Sequence, residues 1–249
     1  MMLLDKGNLI KNVNNTKVQE EYTMRLMSLD ELNSVVELQN YVYEQLPNKR
    51  VLYRDTYEDM HEDLLSGGKI IGVFNEKNRL IAYRYISFPG ENNKNLGYDI
   101  KLPETQLDKV VHLETTVVHN DYRGNGLQSL TLQHATSLTK SLGYRHLLCT
   151  VSPQNFYSLY NVMKNGLKIK ALKRKYGTVA NQKDGLWRFI LHRDMEVVSY
   201  LNPIEFFTAK LDNIEEQKRL IEEGYIGYNV LKESRMLNYA RFNDYAVQQ

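Results

Sequence analysis

A carboxylate set in a β-branched run, and two glycines just after that run, are the residues of this chain whose types and spacing could do chemistry. The segment reads Leu113-Glu114-Thr115-Thr116-Val117-Val118, a polar turn His119-Asn120-Asp121-Tyr122, then Arg123-Gly124-Asn125-Gly126-Leu127-Gln128 leading into a helical pattern. Strand, glycine loop and helix start together make an anion cradle. The first N–H groups of a helix have no intrahelical partner, and the helix dipole puts partial positive charge there. Glycines at 124 and 126 leave off the Cβ atoms that would hold a phosphate away from those amides. The expected ligand carries a pyrophosphate. Glu114 is a different kind of signal. Strand alternation puts it on one face with Thr116 and Val118, and a carboxylate there is costly unless it faces a wet cleft or has partners.

Spacing narrows the ligand. No Gly-x-x-x-x-Gly-Lys-Ser/Thr string occurs, and a dinucleotide fingerprint would need a third glycine where Ser129 stands. Arg123-Gly124-Asn125-Gly126-Leu127, with Val117 and Val118 before it, instead resembles the Gln/Arg-x-x-Gly-x-Gly/Ala signature of the GNAT superfamily of acyl-CoA-dependent N-acetyltransferases. Gln128 stands in place of the usual last small residue. A second segment is similar to the same family: Asn155-x-x-Ser158 opens a helix, and Gly166 closes it eleven residues after Asn155.

The resemblance implies an α/β fold with a central, mostly antiparallel twisted sheet, splayed between the fourth and fifth strands and flanked by helices. It implies acetyl-CoA as cofactor and a small-molecule or peptide amine as acceptor. Carried over by position, Val117 and Val118 offer main-chain groups to the pantetheine arm, and Asn155 and Ser158 lie beside it. Arg123, Gly124, Asn125, Gly126, Leu127 and Gln128 hold the phosphates. The amine must lose a proton before attack, because a lysine-like ammonium has a pKa near 10.4. Glu114 is the expected general base, with His112 as a possible helper on the same face, or else an edge or structural glutamate. Many relatives place a tyrosine acid where Val162 stands; Tyr160 is the substitute candidate and Tyr157 a weaker one. The rival reading is a non-catalytic acyl-CoA-binding sensor, and a further one is an interaction protein whose tail docks a partner.

The elements that must position these groups follow from periodicity and turn residues. Residues 1–20 read as a flexible lead-in and Tyr22–Met27 as a first strand. Helices are expected over Glu31–Gln45, capped by Asp30, and over Tyr57–Leu65. Strands Lys69–Phe74, Arg79–Phe88 and Lys109–Val118 precede the helix Leu127–Leu142. Strand His146–Ser152, helix Gln154–Lys164 and a strand pair at Lys168–Tyr176 and Gly185–His192 close an acetyltransferase-like domain over 21–195. In the extension 196–249, Asn202-Pro203-x-Glu205 and Asp212-x-x-Glu215 read as helix starts, and Arg235–Phe242 as a final strand. The extension is expected to pack on the core, cover the site or build a homodimer contact.

Composition sets limits. In 249 residues, 32 Lys and Arg face 30 Asp and Glu, so charge calls for neither nucleic acid nor an anionic membrane. The single cysteine, Cys149, sits in an apolar run and reads as a small buried hydrophobe. The six histidines lack metal-ligand spacing, so no metal is expected. The opening residues are too short for a signal h-region, and a cytoplasmic location is expected. The basic run Lys168, Lys170, Lys173, Arg174, Lys175 reads as a strand's wet face, with a phosphate contact as the alternative.

Overall fold

Regular structure begins earlier than the sequence suggests. In the computed structural model, which describes residues 2–14, 16–177, 185–197 and 203–242, Leu3–Val13 (β1) and Thr16–Leu26 (β2) form an antiparallel hairpin. This corrects the expected flexible lead-in. Val13 pairs with Thr16, and Asn14 takes φ +48° in the turn, a conformation asparagine tolerates better than most residues. Leu9, Tyr22 and Met24 are buried, and the end of β2 pairs with the next strand. Those contacts repay the ordering of a polar, Asn-rich segment.

The chain divides into two units, one of residues up to 88 with 113–142, the other of residues 89–112 with 143 onward. In the first unit, β2 is followed by Lys69–Asn75 (β3), Leu80–Ser87 (β4) and the end of Val110–Val118 (β5), in the order β1-β2-β3-β4-β5. Helices Leu32–Glu44 (α1), Tyr57–Leu65 (α2) and Leu127–Ser141 (α3) accompany them. The start of the α1 segment is corrected: Ser28 and Glu31, not Asp30, form the capping box, and Arg25 holds the Glu31 carboxyl down to about 2. β4 is buried throughout, and its two faces do different work. Tyr83 and Tyr85 pack with Leu32, Val35, Leu38 and Val42 of α1 and with Met60 of α2. Arg84, pointing the other way, donates to Gln128 O and Thr131 Oγ1 of α3 at 3.0 and 3.3 Å.

In the second unit, Val110–His112 of β5 run parallel to His146–Val151 (β6), through three residue pairs ending at His112 and Leu148. The other ladders of this unit are antiparallel, in the order β5-β6-β8-β7-β10-β11-β9. The remaining strands are Lys168–Lys175 (β7), Leu186–Asp194 (β8), Pro203–Lys210 (β9), Ile226–Leu231 (β10) and Met236–Phe242 (β11). Phe156–Lys164 (α4) and Ile214–Glu222 (α5) are its helices.

The C-terminal region departs from expectation. Pro203 begins a strand rather than a helix, because Phe206 and Phe207 pair with Ala240 and Tyr239 of β11; Asn202 lies outside the described residues. Asn213, not Asp212, caps α5 by accepting from Glu216 N at 3.2 Å. β10, absent from the expected elements, pairs Gly227 with Ile169 of β7. A Cβ on Gly227 would stand 2.9 Å from Ile169 side-chain atoms, so this approach requires glycine. The wet-face reading of the β7 basic run holds for Lys173 and Arg174, which are exposed, and is corrected for Lys168 and Lys170. Lys168 Nζ donates to Tyr228 O at 2.8 Å, and burial brings the Lys170 amine down to about 8. Among the described residues no helix is long and apolar enough to cross a membrane.

Candidate functional site

The junction of β5 and α3 is built as expected. Gly124 has φ +88° and Gly126, the N-cap of α3, has φ +71°. Both lie in the left-handed region, which side-chain-bearing residues rarely adopt. Apart from the adjoining residues of the turn and helix, no described atom stands within 4 Å of where their Cβ atoms would be, so the turn's outer side is open. The first amide in the intrahelical pattern is that of Leu130, which donates to Gly126 O at 3.0 Å. Backbone N–H groups of the preceding turn are thus directed out of the helix end. Leu127 and Val117 are buried, so their side chains are core and only main-chain groups are available to a ligand. Val118 is half-buried, and Arg123 is exposed at the rim.

Asn125 has a different job from the one its neighbours suggest. Its Oδ1 accepts from Ile10 N, and its Nδ2 donates to Ile10 O, both at 2.7 Å; Nδ2 also donates to Tyr122 O at 2.9 Å. The side chain ties the turn to β1. Tyr122 adds a second tie: its hydroxyl donates to Glu20 Oε2 at 2.8 Å and accepts from Asn75 Nδ2 at 3.0 Å. Lys11 approaches Glu20 to 3.4 Å. The N-terminal hairpin therefore braces the glycine turn, a role no local motif announced. The Gln128 carbonyl is anchored by Arg84.

Glu114 is half-buried, and its Oε1 accepts from Ser87 Oγ at 2.8 Å. Around it the fold gathers groups that sequence spacing did not connect. Asp55, between α1 and α2, is raised to about 7 by burial above all, with the charges of Glu114 and Asp59 adding to the rise and a hydrogen bond from Thr115 opposing it. Its main chain is clamped by Gln39, whose Nε2 donates to Asp55 O at 2.8 Å and whose Oε1 accepts from Asp55 N at 3.2 Å. Its Oδ2 is buried with no hydrogen-bond partner among the described residues. Tyr83 donates to the same Gln39 Oε1 at 3.3 Å, and burial, then the Asp55 charge, pushes its phenol well above the usual value. Tyr85 bonds to Asp63, and its phenol is raised by burial first, then by Asp63, Glu114 and Asp55. Asp55 is the buried titratable group that sequence reading missed. Arg54-Asp55-Thr56 looks like a helix approach, and only the fold reveals the carboxylate's burial.

Five expected residues belong to the second unit. Asn155 caps α4, its Oδ1 accepting from Ser158 N at 3.2 Å. Tyr160 stacks with Phe156 at 6.2 Å between ring centroids, and Lys232 lies 6.0 Å from its ring. Tyr157 is exposed and Val162 buried. His112 is buried in this unit, with Nε2 accepting from Leu96 N at 3.0 Å. That nitrogen is occupied structurally, which removes it as a proton acceptor beside Glu114. Cys149 is buried, in line with its apolar run.

No protein-family description and no curated protein matches the chain. Solved structures do. An acetyltransferase of the GNAT family from Streptococcus pneumoniae aligns with TM-score 0.53 and 17% identity over 70% of this chain and 99% of its own. An N-acetyltransferase from Staphylococcus aureus gives 0.52 and 16% over 70% and 98%. A GNAT superfamily phosphinothricin acetyltransferase from Sinorhizobium meliloti, in complex with acetyl-CoA, gives 0.51 and 17% over 70% and 88%. The chain has the fold of these acetyltransferases, a mixed α/β fold.

Proposed function

We propose that the protein is an N-acetyltransferase that uses acetyl-CoA to acylate a primary amine by direct attack. The observation that carries this reading is the glycine turn at the start of α3, with positive φ at residues 124 and 126 and an open outer side, on a fold shared with acetyltransferases. The residues present suit the donor. The amides around Gly124–Gln128 fit a diphosphate, with Arg123 at the rim. Thr116 Oγ1 is buried and has no hydrogen-bond partner among the described residues, in the strand that the family resemblance sets against the pantetheine arm.

Acetyl-CoA supplies an acyl carbon activated by a sulfur leaving group. The chain's own contribution is to hold the diphosphate on α3, to offer β5 main chain to the arm, and to set the carboxylate of Glu114 beside the attacking nitrogen. Ser87 fixes one Glu114 oxygen, which keeps the carboxylate directed. By the family resemblance alone, Asn155 and Ser158 are assigned to the arm and Tyr160 to the departing sulfur. A thiol of pKa near 8.5 can also leave without an acid.

Val162 favours the sensor as a second reading, since a buried valine occupies the position where relatives carry the acid. Calorimetric titration with acetyl-CoA, ATP and NAD separates cofactor classes: acetyl-CoA is expected to bind at least tenfold more tightly than the others. Equal affinity for all three defeats the assignment. Thiol release across an amine panel then separates enzyme from sensor.

A further inference from the structure

Asp55 is a carboxylate whose charged form finds no counter-charge among the groups around it. One of its oxygens is buried and lacks a partner among the described residues, a costly state for a polar atom. Its main chain is held by Gln39 through both the carbonyl and the amide, which fixes the backbone from which the carboxylate projects. The groups facing it are Gln39 from α1, Asp59 from α2, Tyr83 and Tyr85 from β4, and Glu114 and Thr115 from β5, with Asp63 reaching Tyr85 from α2. Every formal charge in that set is negative. The adjacent cation, Arg54, is directed elsewhere, donating to Asn40 Oδ1 at 3.0 Å with its guanidinium 4.1 Å from the Tyr43 ring centroid.

We infer that Asp55 is a catalytic residue that takes the proton from the acceptor amine, and that the acceptor enters as an ammonium ion with no anionic group beside its nitrogen. The inference rests on the acyl-transfer reading above and assigns its acceptor class. Glu114, fixed by Ser87, is the standing counter-ion. Asp55 is the carboxylate that changes state, because burial and neighbouring negative charge raise its proton affinity to where an acceptor is useful near neutrality. The ammonium gives one proton to Asp55, and the lone pair thus freed forms the bond to the acyl carbon. The carbon–sulfur pair leaves on sulfur, the second displaced N–H proton ends there to give a thiol, and Asp55 returns its proton to water. An amino acid would bring its own carboxylate into a field of like charge, which costs binding. A diamine would not.

The test is calorimetric titration of the full chain at pH 8 with 1,4-diaminobutane and, separately, glutamate and acetyl-CoA, using wild type, D55N and E114Q. Diaminobutane is expected to bind wild type and to weaken at least tenfold in D55N and in E114Q, while glutamate shows no binding and acetyl-CoA affinity stays within twofold in D55N. A carbon-13 titration of the Asp55 carboxyl in wild type, which needs no variant to fold, is expected to show its midpoint falling when the diamine is added. Diamine binding that is equal in wild type and D55N, glutamate binding as tight as the diamine, or an Asp55 midpoint indifferent to the diamine each overturns the inference. If acetyl-CoA fails to bind while the diamine behaves as stated, the acyl-transfer reading falls and the cation site stands.

Discussion

The glycine turn at α3 and the carboxylate cluster around Asp55 belong to the same unit but are made from opposite kinds of information. The turn is local. Its parts lie between Val117 and Gln128, and its key property, positive φ at Gly124 and Gly126, follows from residue type. The cluster is assembled from Gln39, Asp55, Asp59, Asp63, Tyr83, Tyr85, Ser87, Glu114 and Thr115, drawn from four elements and the α1–α2 connection. No spacing rule links those positions. The proposed donor site is thus legible in local motifs, whereas the proposed acceptor site is made of side chains that meet only after folding.

That contrast can be broken by experiment. The largest expected effect is on turnover: E114Q should lower kcat/KM for an amine acceptor about 100-fold, through loss of the counter-ion beside the ammonium, while acetyl-CoA binding is unchanged. Unaltered thiol release in E114Q would remove Glu114 from the acceptor side. Next, G126V should weaken acetyl-CoA about 10- to 100-fold, through loss of charge-assisted contacts and the strain of a branched residue at φ +71°. Calorimetry reads this directly, and a normal affinity would mean that the turn is not the cradle.

Smaller effects test the supports. N125A removes the ties to Ile10 and should cost about 1–2 kcal/mol in denaturant unfolding, with faster amide exchange in β1. Unchanged β1 exchange would show that the hairpin does not brace the turn.

D55N tests the cluster through pH. The Asp55 pKa in the folded chain, about 7, lies above the unfolded value near 3.9, so the folded state binds more protons between those limits. The stability contributed by the neutral carboxyl is complete below pH 4 and is lost as pH rises through 7. D55N should abolish that decline and raise stability at pH 8 by about 1 kcal/mol, read from urea midpoints at pH 5 and pH 8 without amine. Parallel pH dependence in both proteins would place Asp55 in water rather than in a buried cluster.

Much of the fold was legible before the structure. The helix over Tyr57–Leu65 and the strands around Lys69, Leu80, Val110 and His146 follow from apolar periodicity, with Gly67 marking the end of the helix. The errors share a cause. β1 and β9 were misread because their strand identity comes from a partner: β1 is polar and Asn-rich but pairs along β2, and β9 carries a Pro and a Glu that mimic a helix start yet pairs along β11. The site shows the same division. The Asn125 motif was visible, but its use as a tie to Ile10, 115 residues earlier in the chain, was not. His112 looked like a helper by alternation, and the Leu96 amide claimed its Nε2.

By itself, the sequence determined the left-handed turn ahead of α3, since only glycine accepts that backbone geometry without penalty, and it determined the helices and strands whose apolar stripes repeat with the period of one face. Tertiary structure alone decided which polar groups would lose water. Burial of Asp55, the structural use of His112 and the covered start of β7 depend on neighbours distant along the chain, and solvation is a property of surroundings rather than of residue order.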